Sequence, residues 1–152
     1  LSNCAASPGP GTCEIGVVMG AHQGEYNLSA HGVFVEDHKI LQLKANYGNF
    51  GWGLPGGKID LGETIHQAVA RECVEELGVD CEIGALTGVY YHKVFHSHVF
   101  IFRCYLPPAY RIVLSDEHTE FRFFSREELS LVQRHRVDDC LNYQGLVSSY
   151  AF

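Results

Sequence analysis

Apolar and polar positions alternate along this chain with two different periods, and the change of period predicts where strands give way to helices. Residues 40–44 read Ile-Leu-Gln-Leu-Lys, with Leu41 and Leu43 on one face and Gln42 and Lys44 on the other, the period of a half-buried strand. Residues 32–35 precede it across the polar turn Glu36-Asp37-His38-Lys39, so the segment reads as a hairpin. Residues 83–95 and 99–106 are predicted to be two long strands. The second carries Val99, Phe100, Ile101, Phe102 and Tyr105 and is ended by Pro107-Pro108. Residues 15–19 and 120–124 are read as shorter strands. Elsewhere Ile65, Val69, Cys73 and Leu77 recur every four residues, which predicts a helix over 64–77 stopped by Gly78. Ser125-Arg126-Glu127-Glu128 has the pattern of a capping box and is expected to open a second helix. A third helix is expected over 137–149, with Gly145 as its weak point.

Helices set between and after antiparallel strands point to α/β or α+β layering. At 152 residues the chain fits one domain with a full core. Residues 1–12, rich in Ser, Pro and Gly, are expected to be flexible, and 13–152 to form a single domain. No apolar run approaches the roughly 18 residues that span a bilayer, so no membrane partner is expected. The opening residues lack the basic start and apolar centre of a signal peptide. Six cysteines are scattered without a CxxC pair, which suits reduced thiols and a cytoplasmic location. The net charge of −7 disfavours an extended nucleic-acid surface. An acidic chain that handles polyphosphate needs divalent cations to offset the repulsion.

The chemistry concentrates in residues 57–79, GKIDLGETIHQAVARECVEELGV. Glu72, Glu75 and Glu76 fall at i, i+3 and i+4, so a helix puts all three carboxylates on one face. Like charges so placed destabilise a helix by roughly 0.2–0.5 kcal/mol per pair; a bound cation would reverse that. Oxygen donors favour Mg²⁺, with Mn²⁺ as the alternative, over zinc. Glu63 lies two and a half turns before Glu72, too far round for one continuous helix, and is expected in the preceding loop, paired with Arg71.

Gly57, then Glu63, then Arg71-Glu72-Cys73-Val74-Glu75-Glu76-Leu77-Gly78-Val79 resembles the Nudix box of the Nudix hydrolases. Seven fixed identities would coincide by chance at on the order of one site in 10⁸, so coincidence is set aside. Cys73 stands where the family usually has an aliphatic residue, a change of packing rather than chemistry. The resemblance implies an α/β Nudix fold, a mixed sheet sandwiched between helices. It implies Mg²⁺-dependent hydrolysis of a nucleoside diphosphate linked to another group, with a small-molecule nucleotide as partner and a monomer or homodimer as the assembly.

The resemblance further implies that Glu72 and Glu76 are the principal metal ligands, with Glu75 close by and the Gly57 carbonyl completing the set. Glu120 is a further metal candidate from the acidic loop that also holds Glu117. The catalytic candidates are Glu72, Glu75, Glu63 and Arg71, with the general base open among Glu72, Glu75 and the loop glutamates. Lys44, Lys58 and Gly56 are candidates for substrate phosphate. Tyr47, Phe50 and Trp52 are candidates for stacking on a base. His92, His96 and His98 lack zinc spacing and are read as hairpin residues or pocket lining. A nucleoside triphosphate is the leading substrate class; nucleotide sugars, ADP-ribose and dinucleoside polyphosphates are the alternatives. A non-catalytic nucleotide-binding Nudix fold and a plain cation-binding module are the rivals. Both explain less, since every carboxylate of the box is kept and a cation module needs neither Gly56-Gly57 nor Arg71.

Overall fold

The computed structural model describes residues 25–49 and 51–152. The strand expected at 15–19, the segment 1–12, Cys4, Cys13 and Phe50 lie outside these residues. Nine strands and two α-helices follow one another in the described residues. They are β1 (Asn27–Val33), β2 (Val35–Glu36), β3 (Lys39–Ala45), β4 (Trp52–Gly53), β5 (Gly56–Lys58), α1 (Ile65–Leu77), β6 (Glu82–His92), β7 (Ser97–Tyr105), β8 (His118–Phe124), α2 (Leu131–Leu141) and β9 (Ser148–Ala151). One mixed sheet has the order β5-β1-β7-β6-β9, with β1 parallel to β7 and β9 parallel to β6. The other is antiparallel: β3 pairs with β2, β4 and β8.

Both faces of the central strands are covered. On β7, Phe102 and Cys104 join Ala68, Val69, Cys73 and Leu77 of α1 in one apolar cluster. Val99 and Ile101, pointing the other way, join Val137 and Cys140 of α2 in a second. This is the expected sandwich of a mixed sheet between helices. The four described cysteines are buried, unbridged thiols, and Cys73 packs in the first cluster like the aliphatic residue it replaces.

Burial on two sides also corrects the reading of β3. Its alternation is present, but Ile40 and Gln42 are buried along with Leu41 and Leu43. The hairpin turn forms at Asp37 and His38, both with positive φ, yet its first arm is split. Only Val35 and Glu36 pair with β3, while β1 turns into the mixed sheet.

Helix α1 starts one residue after Thr64, whose hydroxyl accepts from the Gln67 N–H while the Gln67 side chain accepts from the Thr64 N–H. That reciprocal pair satisfies two amides the first turn leaves free. Gly78 closes the helix in the left-handed conformation. The second capping box is real, but it closes a short 3₁₀ turn, Arg126–Glu128. Leu129 is extended, and Ser130 then caps α2 afresh. The expected third helix is absent: α2 ends at Leu141 and residues 148–151 form β9, because pairing with β6 overrides a weak local preference.

Candidate active site

Strand β5 and helix α1 build the acidic half of the site. Both pack against β1, and β5 pairs with it so that Gly57 lies opposite Ala30 and Gly56 opposite His31. Gly56 has φ 128°, and a Cβ there would run into the Ala30 carbonyl oxygen. A Cβ on Gly57 would sit 2.7 Å from Glu72 Oε1, so the missing side chain leaves room for that carboxylate. Glu76 Oε2 accepts from the Gly56 N–H at 2.7 Å. The two glycines thus carry the loop over Glu72 and Glu76.

Arg71 ties the surrounding carboxylates together. Its Nε donates to Glu63 Oε1 at 2.6 Å and its Nη2 to Glu63 Oε2 at 3.0 Å. Nη1 donates to Glu72 Oε1 at 2.9 Å and to Glu75 Oε2 at 3.0 Å, and Nη2 also reaches the Lys58 carbonyl. Glu63 lies in the loop before α1 and also accepts from the Asp60 N–H. Its hydrogen bonds to Arg71 hold its carboxyl below the usual range. Desolvation raises Glu72 against the pull of Arg71. Glu75 is the exposed member.

Glu76 differs from the rest. It is 5% exposed, and burial, opposed by the Gly56 amide and reinforced by Glu72, Glu117 and Glu75, pushes its carboxyl up to about 8. Its nearest basic group is His118, with Nε2 3.6 Å from Glu76 Oε1. Burial lowers the His118 imidazole as well, so it supplies little positive charge.

Among the described residues, no three His, Cys, Asp or Glu side chains form a ready-made metal cage. The donor set nevertheless fits a dication. Burial pushes the Glu76 carboxyl up to about 8 beside a second raised carboxyl, both under a glycine cradle, and a dication there would favour their charged forms.

The loop residues are placed differently from the sequence reading. Glu120 is not beside the acidic cluster: its carboxylate pairs with Lys44 at 2.6 Å across β8 and β3, where the two residues are in register. That ion pair occupies both the expected metal ligand and one expected phosphate contact. Directly after it the register slips, passing over Thr119 and setting His118 opposite Ala45. This irregularity turns the His118 side chain inward, towards Glu76. Glu117, rather than Glu120, is the loop carboxylate whose field reaches Glu72 and Glu76.

Two cavities meet over Gly56. One, of about 460 Å³, reaches Glu76 and His118. The other, of about 700 Å³, runs over Gly57 and Lys58 to the start of α2. Both are lined by His31, Tyr47, Trp52 and Phe95. Lys58 projects at the edge of the larger one, and its ammonium has no ion-pair partner among the described residues. His92 lines the larger cavity, whereas His96 closes the β6–β7 turn with φ 45° and His98 stacks against Tyr26 and Tyr91.

The sequence reading passed over His31, His118, Gln133 and Arg136. One signal for Arg136 was available: it interrupts an i, i+4 series, Val132-Arg136-Cys140, on a helix that must bury one face.

The NUDIX domain family model matches residues 26–140. A MutT-like protein of Streptomyces ambofaciens is 36% identical over 106 residues, covering 69% of this chain and 68% of its own length. An ADP-ribose pyrophosphatase of Methanocaldococcus jannaschii is 38% identical over 65 residues, covering 41% of this chain and 38% of its own. In three dimensions, a NUDIX hydrolase from Nitrosomonas europaea superposes with a TM-score of 0.72 at 22% identity, over 86% of this chain and 81% of that one, a likeness of fold. The box on α1, the glycine cradle above it and these likenesses agree: the chain belongs to the NUDIX family and is a hydrolase of phosphoric anhydrides.

Proposed function

We propose that this site hydrolyses the diphosphate linkage of a nucleoside triphosphate with Mg²⁺, or Mn²⁺ in its place, releasing a nucleoside monophosphate and pyrophosphate. The observation that carries the reading is the position of Glu72 and Glu76. They lie beneath the glycines that wall a cavity large enough for a nucleoside.

Glu72, Glu76 and the Gly57 carbonyl would hold the metal, with Glu75 and Glu117 adding negative charge around it. Bound there, divalent cations neutralise anhydride oxygens and acidify water. The chain's own groups do the rest. Arg71 positions Glu72 by occupying Oε1, which leaves Oε2 to hold a metal or take a proton. Glu63 holds Arg71 from the far side. Lys58, which lines the larger cavity, would meet a phosphate of the substrate. Lys44, neutralised by Glu120, has no such role in this reading.

The test is nucleotide and phosphate release from nucleoside triphosphates, nucleotide sugars, ADP-ribose and dinucleoside polyphosphates. Each is assayed with Mg²⁺, with chelator, and with Glu76→Gln. Turnover of triphosphates that vanishes in both controls supports the reading. Turnover only of another class corrects the substrate, and turnover that survives chelation refutes the metal.

A further inference from the structure

Tyr47 follows β3 directly after a tether. The Ala45 N–H donates to the Gly51 carbonyl at 3.1 Å, the Asn46 N–H donates to the Glu117 carbonyl at 2.9 Å, and the Asn46 side-chain amide donates to the Asp116 carbonyl. These bonds pin the chain after β3 to the acidic loop that carries Glu117 and His118. Tyr47 itself is 57% exposed and lines both cavities that meet over Gly56. Its hydroxyl makes no hydrogen bond among the described residues; the bonds around it run through backbone and through Asn46 and Asn49. Partial burial, then the charges of Glu117, Glu76 and Glu72, raise the phenol above its ordinary value, so it stays protonated and able to donate. Among the described residues, no lysine or arginine lines the cavity that reaches Glu76. Arg71 is engaged by Glu63, Glu72 and Glu75, Lys44 is engaged by Glu120, and Lys58 lines the larger cavity instead.

We propose that the Tyr47 hydroxyl donates to a non-bridging phosphate oxygen of the substrate at the acidic centre, so that Tyr47 meets the phosphate through its O–H rather than a base through its ring. This rests on the hydrolase reading of Glu72 and Glu76 and adds a contact to it. The carboxylates of Glu72, Glu76 and Glu117 repel a phosphate, and a dication offsets that repulsion most for the oxygens it coordinates. The remaining phosphate oxygens need donors, and a bond from O–H to a charged oxygen is among the stronger ones. A cation in this place would pair with the glutamates, as Lys44 does with Glu120, and would compete with the dication. A phenol donates without carrying charge, which leaves the glutamates free. The exposure and the uncommitted hydroxyl of Tyr47 both fit a contact that the substrate completes. A donor at an oxygen whose charge grows as the anhydride breaks also lowers the barrier.

The probe is inorganic pyrophosphate, which has phosphate oxygens and no ring to stack. Its binding in Mg²⁺ is measured by calorimetry to the unaltered protein, to Tyr47→Phe, which keeps the ring and loses the hydroxyl, and to Tyr47→Leu, which loses both. The unaltered protein should bind pyrophosphate about tenfold or more tightly than Tyr47→Phe, the value of one charge-assisted hydrogen bond. Tyr47→Leu should bind it as Tyr47→Phe does. Equal binding by all three proteins overturns the proposal, as does a failure of the unaltered protein to bind pyrophosphate. On nucleoside triphosphates, kcat/KM of Tyr47→Phe should fall about tenfold or more. A stacking role instead leaves Tyr47→Phe at full kcat/KM and weakens only Tyr47→Leu, which overturns the proposal. The melting temperatures of the unaltered protein and Tyr47→Phe should coincide. A lower melting temperature alongside the lost affinity would assign the hydroxyl to holding the loop and overturn its contact with phosphate. Because binding is read without turnover, the result separates from the hydrolase reading. Hydroxyl-dependent pyrophosphate binding in a protein that cleaves nothing would refute hydrolysis alone, and full turnover by Tyr47→Phe would refute the Tyr47 contact alone.

Discussion

Two neighbouring glycines have unlike reasons to be glycine, and substitution separates them. At Gly56 a methyl group meets backbone, the Ala30 carbonyl and the His31 Cα, at a φ that side chains rarely adopt. Gly56→Ala should therefore destabilise the fold by about 3 kcal/mol or more, read by denaturant titration. At Gly57 the methyl meets only the end of the Glu72 side chain. Gly57→Ala should cost less than about 1 kcal/mol of stability but lower kcat/KM by about 100-fold, since a carboxylate moved by an ångström no longer serves the site. Equal stability losses would show that the cradle is scaffold alone. His31 offers a second test. Burial, only partly offset by the bond to the Leu54 carbonyl, lowers its imidazole from 6.5 to about 4. The unfolded chain then binds the proton first, so this contribution is intact above pH 6.5 and is lost as pH falls from 6.5 towards 4. Between pH 7.5 and 4.5 the unaltered protein should lose about 2–3 kcal/mol more than His31→Asn. The comparison cancels Glu76, whose raised carboxyl acts with the opposite sign over pH 4.5 to 8. Parallel pH profiles for the two proteins would place the His31 ring in water.

At the scale of elements, what could be read in the sequence was what is decided locally. Helix α1 carries its whole specification within itself: a four-residue apolar repeat, the Thr64–Gln67 box and Gly78. Its carboxylate face followed from spacing alone. Thr64→Ala should accordingly cost about 1 kcal/mol and lower Tm by roughly 2–4 °C. An unchanged Tm would mean that packing on β1 and β5 holds the first turn unaided. The second half of the chain was less legible because its elements are settled by distant partners. The 125–128 box has the same local signature as that of α1 but makes only a 3₁₀ turn before Ser130 restarts the chain. Strand β9 exists by lying along β6, which no local pattern announces. The Lys44–Glu120 pair and the inward turn of His118 depend in the same way on the register between β3 and β8.

For the molecule as a whole, the acidic centre was legible and the cavity was not. The first is written in 23 consecutive residues; the second is assembled from β1, β4, β7 and α2, which are far apart along the chain. If the native acidic centre alone binds the dication, Mg²⁺ at 100 times its dissociation constant should stabilise the fold by about 2.7 kcal/mol. Melting curves with Mg²⁺ and with chelator measure this, and coincident curves would count against a metal centre. The parallel pairing of β1 with β7, Asn27 against Ser97, has a further consequence in time. Gly56-Gly57 and α1 rest on β1, and the rest of the cavity rests on β7, so the two halves of the site face each other only after that long loop has closed. Loop closure over such a span slows folding relative to helix formation. During refolding, then, α1 can acquire its helical signal early while the cavity over the acidic centre forms later.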